Sequence, residues 1–524
     1  MLSPANNCER LESRSSASSR KLSLPIFTIV VQGVLIALLG QSQASSAAPL
    51  LAGAAKVDIT NRDAGPVNDP LYAKALVLKS GSTMTAIVTV DAVAIGGIGY
   101  IKDDYLGKVR DAVEKELGIP PTNVIANASH CHGIPCKDAD ARTIQAIKEA
   151  ASNLAPVKVG VGTGYEDRIM ENRRLKMKDG RTIDVRHAYS IPPDEEIASV
   201  GPVDTEIGIL KLDRLDGTTL AVVYNFACHP IQNVPSRGNS ADITGFASQV
   251  IEDNLSEGTI ALFVQGCGGD INPIRYKDVD YPRNAEPLGN MLGLSTLKAV
   301  RKIKTREDSR LKFLTEVLTL PRADTASRIA EMESQQVQLL NSLGGTTLNL
   351  KTFIPLFVKY KASEEFPANY PYRYLHDRKL GRKDLDILDS ENRANMERYI
   401  RNIHTMEKLT RINTNLRLLR KHHAAGAAAG KRTIDVELSG LRVGDFVMTT
   451  FPGELTVQIG LNLKKKSPHK PTFVAGYTNG YIYYAPTTEQ LLNVGGAQED
   501  SDCVLGADWQ KFYEDKAIEI LGKL

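Results

Sequence analysis

Two histidines separated by one residue, His130 and His132, follow the strand-like run Asn123–Asn127 and precede the turn residues Gly133 and Pro135. In extended backbone, side chains at i and i+2 point the same way, so both imidazoles would project together from a strand end. Such a pair suits a metal or acid–base site. Three more segments supply other ligand types. His229 ends the strand-like Leu220–Phe226 and precedes Pro230; alone, such a histidine reads as structural. Glu454 follows Pro452 and Gly453 after the strand-like run 445–450, placed either to cap the next helix or to face a site. Between Tyr477 and Tyr484 lie four tyrosines, which sheet packing would also explain. A glycine-rich loop, 265–273, would let backbone approach a ligand or metal ligand closely. It lacks the Gly-Lys-Ser/Thr ending of a phosphate loop.

The elements that must position these residues alternate between strand and helix patterns. Hairpins are expected at Ala73–Asp91, at Ile207–Phe226 across Asp216-Gly217, and at Arg432–Thr450. Helical periodicity covers Asp103–Leu117 and Ala241–Leu255, and Thr259–Val264 reads as a buried strand. The expected fold class is therefore α+β or α/β layered: a large mixed β-sheet core flanked by helices, within one domain over 49–524. Between about 323 and 432 strand signals thin and mixed-charge helical stretches appear, predicting a charged helical insertion that could wall or cover the site. His422 to Gly430, rich in Ala and Gly, reads as a flexible connector rather than a metal tract.

Bulk composition narrows the function classes. A net charge of +3 over 524 residues, with no basic block interleaved with aromatics, argues against a nucleic-acid partner. Residues 1–48 hold Arg10, Arg14, Arg20 and Lys21, then an apolar run from Leu24 to Gly40, then small residues to Ala48. That order describes a secretory signal cut near residues 44–48, giving an exported protein, periplasmic or secreted. Five cysteines remain beyond it, Cys131, Cys136, Cys228, Cys267 and Cys503. Their odd number and irregular spacing describe small packing residues rather than a disulfide framework.

Taken in order, the five segments resemble the catalytic domain of the neutral/alkaline non-lysosomal ceramidase family, over about Ala52 to the end. The family's His-Thr-His-Ser-Gly-Pro is His-Cys-His-Gly-Ile-Pro here, and its Phe-Ala-x-His-Pro and Pro-Gly-Glu are unchanged. Its Gly-Asp-x-Ser-Pro-Asn loop is Gly-Asp-Ile-Asn-Pro-Ile, and the Asn-x-Tyr-x-x-Tyr-x-x-Thr motif spans Asn479–Thr487. Further matches are 52–60, Asn172-Arg173 and Ser240-Ala-Asp242. The resemblance implies a zinc ion held by His130, His229, Glu454 and Tyr484, with the tyrosine ligand at Tyr484 rather than Tyr481. It places His132 beside the metal as oxyanion stabiliser or proton donor and Arg173 in the substrate pocket. Asp242, Asp270, Asn272 and Tyr481 would support the ligands from behind. Implied with it are hydrolysis of an N-acyl amide, ceramide or a related N-acyl lipid, by zinc-activated water, and transient contact with a membrane surface.

Three departures bear on the substrate. The family's loop serine is Asn272, its further immunoglobulin-like domain is expected to be absent, and a tyrosine of its Tyr-Glu pair is missing in Gly495–Asp500. Two other readings stay open: a zinc hydrolase of another amide or an ester, and a secreted non-catalytic binding protein that keeps the metal site.

Overall fold

The computed structural model describes residues 48–186, 191–493 and 497–524; the expected signal segment, up to 47, lies outside them. The chain opens with β1 (Leu51–Asp58), β2 (Tyr72–Ser80), β3 (Thr83–Val90), α1 (Tyr105–Leu117), β4 (Val124–Ala128), α2 (Ala139–Ser152) and β5 (Ala155–Tyr165). Short strands follow: β6 (Met170–Asn172), β7 (Arg174–Met177), β8 (Thr182–Asp184) and β9 (Ile197–Val200). Next come β10 (Glu206–Arg214), β11 (Thr219–Phe226), α3 (Asp242–Asp253), β12 (Ile260–Gln265), β13 (Ile271–Pro273), α4 (Glu286–Val300) and β14 (Leu311–Pro321). Four consecutive helices, α5 (Ala326–Ser342), α6 (Leu350–Ala362), α7 (Tyr372–Lys379) and α8 (Asp384–Ala429), separate β14 from β15 (Thr433–Val443). The chain ends with β16 (Phe446–Thr450), β17 (Glu454–Leu455), α9 (Val457–Lys466), β18 (Phe473–Ala475), β19 (Tyr484–Ala485), α10 (Thr488–Leu491), α11 (Gln498–Ser501) and α12 (Trp509–Lys523).

Eight strands form one mixed sheet in the order β12-β11-β10-β5-β1-β2-β3-β4. Its two ends repeat one plan: an antiparallel hairpin, a helix, then a strand parallel to the hairpin's second strand. Alternate residues of each strand face opposite layers. From β2 and β3, Ala73, Ala75, Val77, Ala86 and Val88 pack under α1 and α2. From β11 and β12, Val222, Tyr224, Ala261 and Phe263 pack under α3 and α4. The opposite face, including Leu76, Ile87, Leu210 and Leu262, meets Leu441, Phe446, Met448 and Phe473 of a second sheet ordered β14-β15-β16-β18. α9 and α12 cover that sheet's outer side, with Ile459, Leu463, Trp509 and Tyr513 in its core. The result is four layers, helix–sheet–sheet–helix. The second sheet as a full layer was not legible in sequence, because β14 and β18 announce themselves weakly.

The edge strands of the large sheet are brought together by the tyrosine-rich segment. Asn127 of β4 donates to the carbonyl of Gly476 at 2.7 Å and accepts from the Gln265 N–H of β12 at 2.9 Å. The Gly476 N–H donates to Gln265 O, and the Asn479 N–H donates to Ala126 O. Residues 476–479 therefore bridge β4 and β12, so strand ends far apart in the sheet order surround one point. This bridge satisfies edge groups that would otherwise be unpaired.

Residues 422–429 are the last turns of α8, not a flexible connector: the alanines continue the helix, and Gly430 ends it at φ 63°. His422 is buried there, 2.6 Å from a carboxylate oxygen of Asp502. Among the described residues, no helix is long and apolar enough to cross a membrane.

Candidate metal centre

His130 stands two residues beyond β4, His229 three beyond β11, and Glu454 opens β17. All three are at most 2% exposed, and one ligand atom of each lies within 4.8 Å of the others. His229 Nε2 is 3.0 Å from Glu454 Oε2, and His130 Nε2 is 3.6 Å from the same oxygen. The opposite ring nitrogens face backbone carbonyls, His130 Nδ1 at 2.6 Å from Val93 O and His229 Nδ1 at 3.0 Å from Ile271 O. A carbonyl only accepts, so both Nδ1 atoms carry the proton and both Nε2 atoms present lone pairs inward.

Electrostatics agree with that arrangement. Burial pushes the His130 imidazole down to about 4 and lowers His229 too, so both rings are neutral near pH 7. Burial opposes ionisation of Glu454, but His130 and His229 in the protonated forms they take only at acid pH, together with the Tyr481 hydroxyl, outweigh it and hold the carboxyl well below its usual range. Two neutral imidazole nitrogens and one carboxylate thus converge as three electron-pair donors, a set that fits a divalent cation of zinc type.

His130 does not use the extended geometry expected of it. Its φ is 66°, in the left-handed region that non-glycine residues rarely enter, and its N–H donates to Ala92 O. Its ring is nevertheless 5.5 Å from that of His132. His132 lies outside the three-residue cluster on the wall of a cavity of about 550 Å³ whose floor is His130, His229 and Glu454. It is open to that cavity yet enclosed by protein, and loss of water pushes its imidazole down to about 4.

Tyr484 and Glu454 are register partners on the parallel pair β17 and β19. The Tyr484 hydroxyl accepts from Arg173 at 3.3 Å and from Arg186 at 3.0 Å. Tyr481 instead donates its hydroxyl to Glu454 Oε1. Asp270 accepts from the Val457 N–H at 2.8 Å, which fixes the turn after Glu454. Gly269 is required there: a Cβ would come within 2.5 Å of the Glu454 carbonyl oxygen. Asn272 accepts from Arg173 at 2.9 Å. Asp242 accepts from the Gln232 and Asn233 N–H groups and so shapes the loop after His229 without touching a ligand. The cysteines Cys131, Cys228, Cys267 and Cys503 are buried free thiols, raised by burial.

Sequence reasoning missed three contributors. Tyr477, fully buried, lies with its ring 4.3 Å from that of His130 and donates to Glu454 Oε2 at 3.2 Å. Arg186 carried no motif at all. Glu499 is ion-paired with Arg173 at 2.6 Å and Arg186 at 3.1 Å, holding both guanidiniums against Tyr484. The signal for Glu499 was its place in the run 495–500, the acidic member of the family's Tyr-Glu pair. Among the described residues, no side chain of α5–α8 lines the cavity. The insertion's contact is indirect, through His422 on Asp502, which does line the cavity.

Comparison with protein-family models finds no match. Solved structures do match. One is a ceramidase complexed with C2, at TM-score 0.57 and 15% identity, covering 91% of this chain and 76% of that one. Another is neutral ceramidase from Pseudomonas aeruginosa, at TM-score 0.55 and 15% identity, covering 91% of this chain and 75% of that one. The described chain therefore has a neutral ceramidase-like fold, with its buried His130–His229–Glu454 cluster set between the ends of that fold's large sheet.

Proposed function

We propose that this protein is an exported zinc-dependent amidohydrolase that cleaves an N-acyl amide, with ceramide or a related N-acyl lipid as substrate. The observation that carries the reading is the convergence of His130 Nε2, His229 Nε2 and the Glu454 carboxylate on a cavity floor beside His132. Likeness in fold to a ceramidase complexed with C2 supports the substrate class. Export rests on the N-terminal sequence alone.

His130, His229 and Glu454 would hold the zinc, with Tyr484 as fourth ligand. A bound zinc ion supplies Lewis acidity, which lowers the pKa of a water and polarises the amide carbonyl. Arg173 and Arg186 fix the Tyr484 hydroxyl, while Tyr477 and Tyr481 donate to Glu454 and hold its carboxylate in place. His132, neutral near pH 7, takes a proton from the attacking water and returns it to the departing nitrogen. The balance is simple. Water oxygen bonds the carbonyl carbon, the C–N bond breaks, nitrogen gains a proton, and a fatty carboxylate leaves with a free amine. No serine takes part, so Asn272 in the loop is compatible with activity.

The test is turnover of a fluorogenic ceramide before chelation, after it, and after zinc is restored. Turnover lost to the chelator and regained with zinc is the expected result. Turnover that ignores chelation rejects the metal mechanism. Zinc binding without ceramide turnover moves the substrate to another amide or an ester.

A further inference from the structure

The lining of the cavity includes two arginines with no assigned role, Arg237 and Arg283. Among the described residues neither has a carboxylate within ion-pair distance. Arg283 rests on the Tyr276 ring at 4.3 Å, and Arg237 is exposed. The three carboxylates that line the cavity are all otherwise engaged. Glu454 faces the two imidazoles and two tyrosine hydroxyls. Asp502 is bonded to His422, and Asp242 accepts from backbone N–H groups of Gln232, Asn233 and Ile243. Arg173 and Arg186 share the single carboxylate of Glu499. Of the four arginines that line the cavity, Arg237 and Arg283 are therefore the two without a carboxylate partner among the described residues, and both are exposed.

The two unpaired arginines are not on loose chain. Arg237 lies in the loop that Asp242 organises, and its N–H donates to Val234 O. The loop bearing Arg283 is tied to the same segment by the Ala285 N–H, which donates to Asn233 O at 2.8 Å. Two loops bonded to each other thus present two planar, five-donor cations to one cavity, a suitable arrangement for binding carboxylate or phosphate oxygens.

We infer that the cavity selects N-acyl substrates whose amine component carries an anionic group, a carboxylate or a phosphate, held by Arg237 and Arg283. A fatty acyl chain is apolar, so the anion belongs on the amine side of the scissile bond. This rests on the amidohydrolase reading and narrows its substrate.

Two matched probe pairs test it: N-lauroylglycine against N-lauroylethanolamine, and ceramide 1-phosphate against ceramide. Within each pair the chain and the amide are shared and only the charge differs. Equilibrium binding is measured on His132→Ala protein, where hydrolysis is slowed, and on the same protein with Arg237→Gln and Arg283→Gln added. The anionic member of at least one pair should bind about tenfold tighter or more, as charge-assisted contacts predict. That preference should collapse in the arginine variant and weaken with added salt, while the neutral probe binds both proteins equally, showing that the fold survives. The pair that discriminates tells carboxylate from phosphate. No preference in either pair, or a preference that survives loss of both arginines, overturns the inference. Failure of the amidohydrolase reading looks different: unsubstituted protein would hydrolyse none of the four probes even with the binding preference intact.

Discussion

In the proposed reaction, His132 separates metal binding from proton transfer at the scale of single residues. It lines the cavity, its ring is 5.5 Å from that of His130, and it stands outside the ligand cluster. His132→Ala should therefore cut kcat roughly 10²–10⁴-fold, the usual worth of a general acid–base group, with zinc content and melting temperature unchanged. His130→Ala should instead lose zinc and activity together, by more than the roughly 10–100-fold that an outer partner costs. Metal analysis beside steady-state kinetics checks both, and loss of zinc from His132→Ala would make that residue a ligand. The three residues of the cluster, His130, His229 and Glu454, were legible in sequence because each stands where a strand stops. Tyr477 and Arg186 were not, since what they touch depends on chain closure: Tyr477 comes from the bridge between β4 and β12, and Arg186 reaches Tyr484 from nearly three hundred positions away.

Elements fix these residues through buried carboxylates that are short of water, and that has a measurable pH consequence. Asp91, just past β3, accepts from the Tyr72 N–H at 2.9 Å and joins the start of β2 to the β3 end. Burial pushes its carboxyl up to about 6, against a partial opposing effect of Lys74. Because the folded value lies above the unfolded one, folded protein binds the extra proton between about pH 4 and pH 6. The stability contribution of this group is then complete below the unfolded value and is lost as pH rises through the folded value. Asp91→Asn should remove on the order of 3 kcal/mol of that dependence. Other carboxyls, Glu499 among them, are lowered and slope the opposite way, so the quantity to measure is the difference between the two proteins in denaturant unfolding at pH 4 and pH 7. Identical pH dependence would show that Asp91 titrates normally. At this scale the hairpins and helices that build the sheet were readable from alternation and helical period. Asp91 was not, because a carboxylate ending an apolar strand looks the same in sequence whether it meets water or a buried N–H.

For the whole molecule, the three residues of the cluster matter by where they come from. His130 follows β4 at one edge of the large sheet, His229 follows β11 beside the other edge, and Glu454 follows the second sheet. No two lie within ninety residues of each other, so a bound cation would join three parts of the chain that the unfolded state holds far apart. Sequence order alone does not reveal that convergence; it comes from residues 476–479 bridging the two sheet edges. A ligand that binds only the folded chain adds stability as RT ln(1 + [L]/Kd), about 2.7 kcal/mol at a hundredfold excess over Kd. Chelation should therefore lower the melting temperature, and zinc should restore it. In His130→Ala the chelator should have little effect, because the stabilising site is already lost. The helical insertion provides the control. Its bonds to the site, such as His422 with Asp502, cross no metal, so His422→Ala should shift the melting temperature of metal-free and zinc-loaded protein equally. Thermal melts of the three proteins, with chelator and with zinc, decide it, and a parent protein indifferent to both would remove the metal from the account of stability and function alike.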